Sequence, residues 1–307
     1  MVFDNLTEIE SLSLEEKKSS LNPKNKFKIE ANLHRSNMML NPLNLKHLNR
    51  LDSLDCDAVT LNLEDAIAPS RKEEALVNIA FFLSYLQATQ SEIIIRINPL
   101  NSGGLKEVEF LKNFTFNAIR ISKVKSEKEI DEVLALLDEE KNVHISLETK
   151  EAFQNLSRWR ARSRFNRANL GILDLLAELK LPQSLLKINN PSIEYILSKF
   201  LIDAKSIGVE PVSFMYQKYK DLATFRELCM WESSLGFKSK ACMGPSQAAV
   251  ANEIFAPSLA EKERAEAIKS AFETNKQESI HGFMHEKYGF IDEPIYKDAL
   301  NTLNISI

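Results

Sequence analysis

The chain has 307 residues, a formal net charge of −4 and only eight glycines, where a typical usage of roughly 7% would give about 21. Apolar residues make up 44% and charged residues 27%, the composition of a globular core rather than a disordered chain. With neither GxGxxG nor GxxxxGK[ST] present, a glycine-rich phosphate loop is ruled out, and the acidic balance offers nucleic acid no attractive field.

Residues 1–30 are polar and read as an N-terminal extension with one short helix at Leu12–Leu21. From residue 31 to 257 the chain alternates. Short β-rich runs are expected at Met38–Leu40, Ala58–Leu63, Glu92–Ile97, Ala118–Ile121, Val143–Leu147, Asn169–Leu173, Val209–Met215 and Lys240–Met243. Helical periodicity falls between them, at Leu43–Leu54, Ser70–Leu86, Leu105–Asn113, Ser126–Glu139, Lys150–Arg162, Asp174–Leu179, Asp221–Leu235 and Ser246–Phe255. That alternation is the arithmetic of a (β/α)8 TIM barrel, an α/β fold. A doubly wound open sheet is the runner-up, but it usually carries a glycine-rich first turn. The segment from Lys180 to Gly208, with a helix at Ile193–Ile207, reads as an insertion after the sixth strand. Residues 258–307 form a C-terminal helical extension: Ala260–Asn275 is a charged helix, and Tyr288–Ile307 is too apolar for a free tail.

Cys56, Cys229 and Cys242 are odd in number and widely spaced, which speaks against a disulfide framework or a structural zinc and for a reducing compartment. No apolar run reaches the length of a membrane span, and the acidic N-terminal stretch lacks the apolar core of a secretory leader. The expectation is a cytoplasmic, homo-oligomeric protein with no nucleic-acid or membrane partner.

Barrel active sites lie at the carboxyl ends of the strands, so the polar residues ending each strand are the candidates. Glu64 and Asp65 end the second, Arg96 and Asn98 the third, Lys123 the fourth, Glu148 and Thr149 the fifth and Asp174 the sixth. Carboxylates from separate strands beside Arg and Lys suit a hard divalent cation, which takes one or two carboxylates plus water and substrate oxygens. Such an ion polarises a carbonyl, and a neighbouring Arg holds a carboxylate or stabilises an enolate oxygen.

The same residues carry a family resemblance. A-V-T-L-N-L-E-D-A-I-A-P-S-R-K at 58–72 resembles the A-D-A-V-x-L-D-L-E-D-A-V-x-P-x-x-K segment of citrate lyase beta-chain-like and malyl-CoA lyase-like proteins, in the pyruvate/phosphoenolpyruvate barrel superfamily. In order, I-I-I-R-I-N-P-L at 93–100, R-I-S-K-V at 120–124, S-L-E-T at 146–149, L-G-I-L-D-L-L-A-E-L at 170–179, G-F-K-S-K-A-C-M-G-P-S-Q at 236–247 and N-E-I-F-A-P-S at 252–258 are similar to further family segments.

The resemblance implies a Mg2+-dependent carbon–carbon lyase or aldolase. Its substrates would be an acyl-CoA or carrier-bound thioester and a small 2-keto or 2-hydroxy acid. It implies Glu148 and Asp174 as the Mg2+ ligands, Arg96 as catalytic and substrate-contacting, Glu64 and Asp65 as the acids that orient Arg96, and Lys123 as substrate-binding. The expected homo-oligomer is a trimer or hexamer. Alternatives on the same site are an acyl-CoA thioester hydrolase and a non-catalytic metabolite-binding relative. The chain departs from the family at Asn62, Leu173, Ser213, Gly244, Ser246 and Ala152, and in Leu40-Asn41-Pro42.

Blander readings stand beside these. Arg96 could be an interior ion pair with Glu64 or Asp65, and Lys123 a salt bridge. Arg35 precedes the first strand and reads as structural. His34, His47, His144, His281 and His285 show no ligand spacing and read as structural or exposed. Cys242 is a small apolar filler in the eighth strand. The run Arg158, Arg160, Arg162, Arg164 and Arg167 ends a helix before the sixth strand, at the face away from the mouth, and is expected on the surface or at an interface.

Overall fold

The structure is a computed structural model, and it describes residues 1–30, 33–277 and 281–303. The chain divides into two compact units, Met1–Phe255 and Ala256–Ile307.

The first unit is built on eight strands: β1 (Ser36–Leu40), β2 (Ala58–Asn62), β3 (Glu92–Ile97), β4 (Ala118–Ile121), β5 (Asn142–Leu147), β6 (Phe165–Leu170), β7 (Glu210–Val212) and β8 (Lys240–Cys242). They pair in parallel in the order β8-β1-β2-β3-β4-β5-β6-β7. Ser213, just past β7, bridges to Lys240 of β8: its N–H donates to the Ser239 carbonyl at 2.9 Å and its carbonyl accepts from Ala241 at 3.0 Å. The ring thereby closes, as a (β/α)8 barrel requires.

The helices that surround this ring are α3 (Leu45–Leu48), α4 (Lys72–Tyr85), α5 (Gly104–Leu111), α6 (Glu127–Leu134), α7 (Lys150–Asn155), α8 (Ile172–Glu178), α9 (Pro191–Ser206), α10 (Leu222–Leu235) and α11 (Pro245–Ile254). Strand alternation sorts the side chains. In β3, Ile93, Ile95 and Ile97 join the main apolar core with Leu61, Ile119, Ile121, Val143, Ile145 and Leu147. The opposite set, Glu92, Ile94 and Arg96, faces the barrel interior, where Ile94 touches only Ala58 and Ala118 among the buried apolar residues. The lumen is otherwise polar. Thr60 Oγ1 donates to Asn37 Oδ1 at 2.7 Å, and Arg120, His144, Ser146, Glu148 and Asn169 are all buried.

Four expectations change. The sixth strand ends at Leu170, not Leu173, because Gly171 starts the turn into α8. The helix expected as an insertion is the barrel's own: α9 buries Ile193, Ile196, Leu197, Phe200 and Ala204, while the short α8 sits in the loop before it. Residues 1–30 are no free extension. They form two helices, α1 (Leu6–Ser11) and α2 (Leu14–Ser19), and Phe3 packs on Phe81, Phe82 and Tyr85 at centroid distances of 5.1–5.4 Å. Arg167 is only part-exposed, its side chain at 21%. It lies on β6 with its Nη1 donating to Glu92 at 2.9 and 3.0 Å.

Of the rest of the arginine run, Arg158 and Arg160 are exposed as expected, while the Arg162 side chain is largely covered. Arg162 pairs with Glu127 and Asp131, and Arg164 donates to the carbonyls of Leu134 and Asp138. Arg35 forms a two-point pair with Asp57 at 2.8 and 2.9 Å. Cys242 is fully buried.

The second unit contains α12 (Leu259–Gln277), a hairpin of β9 (Gly282–His285) and β10 (Gly289–Asp292), and α13 (Glu293–Thr302). Its own core is Ala265, Ile268, Phe272, Ile291 and Ala299, with Phe272 stacked on Tyr296 at 4.4 Å. The C-terminal segment is thus helical around a hairpin; residues 304–307 of the apolar tail lie outside the described residues.

Candidate active site

At the carboxyl ends of β1–β8 lies a cavity of about 280 Å³. Asp65, Arg96, Glu148 and Asp174 all line it, from four different segments. That size is at the small end of ligand pockets, which span roughly 300–1,000 Å³.

Arg96 is the hub. Its inward place on β3 sets it beside Asn62 of β2 and Arg120 of β4 in register. Its Nη2 lies 2.8 Å from Glu64 Oε2, 2.9 Å from Glu148 Oε1 and 3.3 Å from Asp65 Oδ2. Nη1 reaches Asn62 Oδ1 at 3.4 Å. Arg96 is 4% exposed, so these contacts act with little solvent screening. Three carboxylates therefore share one guanidinium. The interior ion pair and the functional arrangement are the same object.

The acids are held as tightly. Lys72, the last residue of the 58–72 motif, donates its Nζ to the carbonyls of Leu63 and Glu64, both at 2.9 Å. Lys123 follows β4 in the left-handed conformation, φ 50°, which an L-residue adopts at a cost. That turn aims its N–H at Glu148 Oε2, at 3.0 Å, and its Nζ at Glu64 Oε1, at 2.8 Å. Thr149, next to Glu148, caps α7 through Ala152 N–H and donates to the Val124 carbonyl at 2.7 Å.

Burial pushes the Glu148 carboxyl above its ordinary range; Arg96 opposes that and the nearby Asp174 charge adds to it. Burial and the contact with Asp65 likewise raise Glu64. Asp65 is half exposed; burial raises it, but the contacts with Glu64, Arg96 and Lys123 outweigh that and hold it low.

Asp174 is not at a strand end. It sits in the first turn of α8, four residues beyond β6, and its carboxylate has no hydrogen-bond or ion-pair partner among the described residues. Asn98 is turned away from the cavity, toward Lys72, the Leu63 carbonyl and Glu107.

These residues fit a hard divalent cation. Glu148 and Asp174 face one cavity and repel each other, which a cation would relieve. Among the described residues there is no group of three His, Cys, Asp or Glu side chains placed to hold a metal; the cavity offers Glu148 and Asp174 as a pair. Two carboxylates leaving room for water and substrate is the pattern of Mg2+.

Arg120 and Asn169, which the strand-end survey passes over, also line the cavity. Arg120 Nη1 donates to Asn169 Oδ1 at 3.0 Å. Burial, and then the Arg96 charge, bring Arg120 down to about 9, so it stays charged at neutral pH. The signal was an Arg in the middle of the strand Ala-Ile-Arg-Ile, where an outward or inward charge is unexpected.

Residues 35–245 match the HpcH/HpaI aldolase/citrate lyase family, and the chain belongs to that family. It is 28% identical over 227 residues to the (3S)-malyl-CoA thioesterase of Cereibacter sphaeroides (strain ATCC 17029 / ATH 2.4.9), which covers 74% of this chain and 78% of that protein. It is 24% identical over 282 residues to the mitochondrial citramalyl-CoA lyase of Homo sapiens, covering 85% and 82%. Among solved structures, the protein CitE from Mycobacterium tuberculosis in complex with magnesium, acetoacetate and coenzyme A superposes with a TM-score of 0.66 at 18% identity, covering 88% of this chain and 96% of that one. The barrel and the family expected from the motifs are both met.

Proposed function

We propose that this chain is a Mg2+-dependent carbon–carbon lyase acting on a CoA-linked acyl thioester through a small 2-keto or 2-hydroxy acid. The observation that carries this is the convergence of Glu148, Asp174 and Arg96 on one small cavity. Support comes from the CoA-ester names of the relatives and from the magnesium and coenzyme A bound by a protein of the same fold.

Glu148 and Asp174 would hold the cation. Bound there, Mg2+ supplies a Lewis acid for the carbonyl of the keto acid. Arg96 stabilises the negative charge that develops on the enolate oxygen as the carbon–carbon bond breaks. Glu64 and Asp65 fix the Arg96 fork, and Lys123 holds Glu64 in turn. The cavity takes the acid portion of the substrate; the CoA portion extends beyond its mouth.

A second reading, hydrolysis of the thioester at the same site, is favoured by the thioesterase among the relatives. Mass spectrometry of the purified protein with Mg2+ and a panel of acyl-CoAs and keto acids separates the two. Paired release of an acyl-CoA and a keto acid, abolished by EDTA, is the expected result. Free CoA without a keto acid would establish hydrolysis, and no turnover of any pair would overturn both.

A further inference from the structure

Arg96 and Arg120 are neighbours in register on β3 and β4, yet their surroundings differ. Arg96 is surrounded by three carboxylates. Arg120 has none within ion-pair distance among the described residues: its contact is the neutral Asn169 Oδ1, its Nε has no partner, and Glu148 and Glu64 act on it only from farther off. It is 3% exposed. A buried guanidinium with no carboxylate in contact is costly to maintain, and this one lines the cavity.

A second orphan donor stands beside it. Asn169 Oδ1 accepts from Arg120 Nη1 at 3.0 Å and from Asn37 Nδ2 at 3.4 Å. That orientation leaves Asn169 Nδ2 as a donor, and it too is buried with no partner. The cavity therefore presents this charged donor and this neutral donor together, and three carboxylates, Asp65, Glu148 and Asp174, elsewhere on its lining. Arg and amide donors side by side match the two oxygens of a carboxylate.

We propose that Arg120 and Asn169 form a second anion subsite, so that the keto acid taken by this protein carries two carboxylates. The inference rests on the keto-acid reading above and names the substrate class within it. One carboxylate and the carbonyl lie toward Glu148 and Asp174, and the other carboxylate lies against Arg120. The small cavity limits the acid to a few carbons.

Oxaloacetate and pyruvate differ by one carboxylate and make the test. Calorimetric titration of the whole chain in Mg2+ should show oxaloacetate binding tighter by roughly ten- to a hundredfold, the worth of hydrogen bonds to a buried charge. In Arg120→Met that ratio should collapse toward one. Asn169→Asp places a carboxylate on the Arg120 guanidinium and should collapse it as well, which covers the case of a poorly folded Arg120→Met. A purely structural Arg120 would weaken both acids together and leave the ratio intact. A wild-type ratio near one, or a ratio that survives both variants, overturns the proposal. If the wild-type chain binds neither acid in a Mg2+-dependent way, the keto-acid reading itself falls and takes the Arg120 assignment with it. Mg2+-dependent binding of pyruvate with no preference for oxaloacetate sinks the subsite alone.

Discussion

Gly171 and Glu148 are pressed together: a Cβ on Gly171 would stand 2.2 Å from Glu148 Cγ and 2.8 Å from its Oε1. No side chain fits there. The absence of one at the turn from β6 into α8 lets the Glu148 carboxylate take its place between Arg96 and the Lys123 amide. In a chain with eight glycines, one is spent on this contact.

Gly171→Ala should therefore displace Glu148 while leaving the barrel folded, since the Gly171 backbone, φ −90°, is open to alanine. Mg2+ affinity, read by calorimetry, should fall roughly ten- to a hundredfold, the usual effect of disturbing a ligand's support. Affinity equal to wild type would show that Glu148 is not a ligand or that the turn relaxes freely.

Arg96→Met removes the one cation shared by Glu64, Asp65 and Glu148. Glu64 keeps Lys123 and Asp65 is half exposed, so the buried Glu148 is the carboxylate left without its cation, at a cost of about 3–5 kcal/mol. Thermal or urea unfolding should show that loss, and turnover should disappear with it. A variant as stable as wild type would mean that the three acids take up protons at little cost.

Lys123→Gly separates the two contributions of that residue. Glycine removes the left-handed strain, worth about 1 kcal/mol, and keeps the amide that Glu148 accepts from. It loses the part-exposed pair with Glu64, worth under about 1 kcal/mol. Stability should stay within about 1 kcal/mol of wild type, with Mg2+ binding retained and kcat lowered through the loosened Glu64. Loss of Mg2+ binding would contradict this division.

The other end of the barrel predicts acid sensitivity. Glu92 meets His34 at 2.8 Å and Arg167 at 2.9 Å. Burial pushes Glu92 up, but those partners and His144 more than reverse it, to about 2 against an ordinary 4.5. Burial brings His144 from 6.5 down to about 3. Both groups bind fewer protons folded than unfolded. Stability is thus fully present above pH 6.5 and declines as pH falls through 6.5 toward 3 and then 2. Neither ring nitrogen of His144 has a hydrogen-bond partner among the described residues, and Nε2 lies 3.8 Å from Glu92 Oε1, so His144→Leu should flatten the decline between pH 6.5 and 3. An unchanged slope in urea unfolding across that range would refute it.

Much of this protein was legible in its residues. The alternation Glu-Ile-Ile-Ile-Arg-Ile in β3 marks a strand with one apolar face, and eight strands separated by helical periods close into a barrel. Glu64, Asp65, Arg96, Lys123 and Glu148 were found because strand ends share one mouth, a rule of the fold that needs no coordinates.

What lay beyond the sequence was who pairs with whom. Periodicity tells which side of a strand a residue faces but not what meets it across the ring. So Arg167 was read as a surface charge although it reaches Glu92, 75 positions earlier. Arg96 and Arg120 look alike as single arginines in apolar strands, and only ring closure puts three carboxylates within ion-pair distance of one and, among the described residues, none within that distance of the other. Likewise the helix at Pro191–Ser206 resembled an insertion because the short helix at Ile172–Glu178 already filled its slot in the count. Burial against the strands, a tertiary quantity, decides which of the two belongs to the barrel wall. Residue type and spacing thus determined the barrel and its mouth, while the distribution of charge inside it was decided by contacts between segments far apart in the chain.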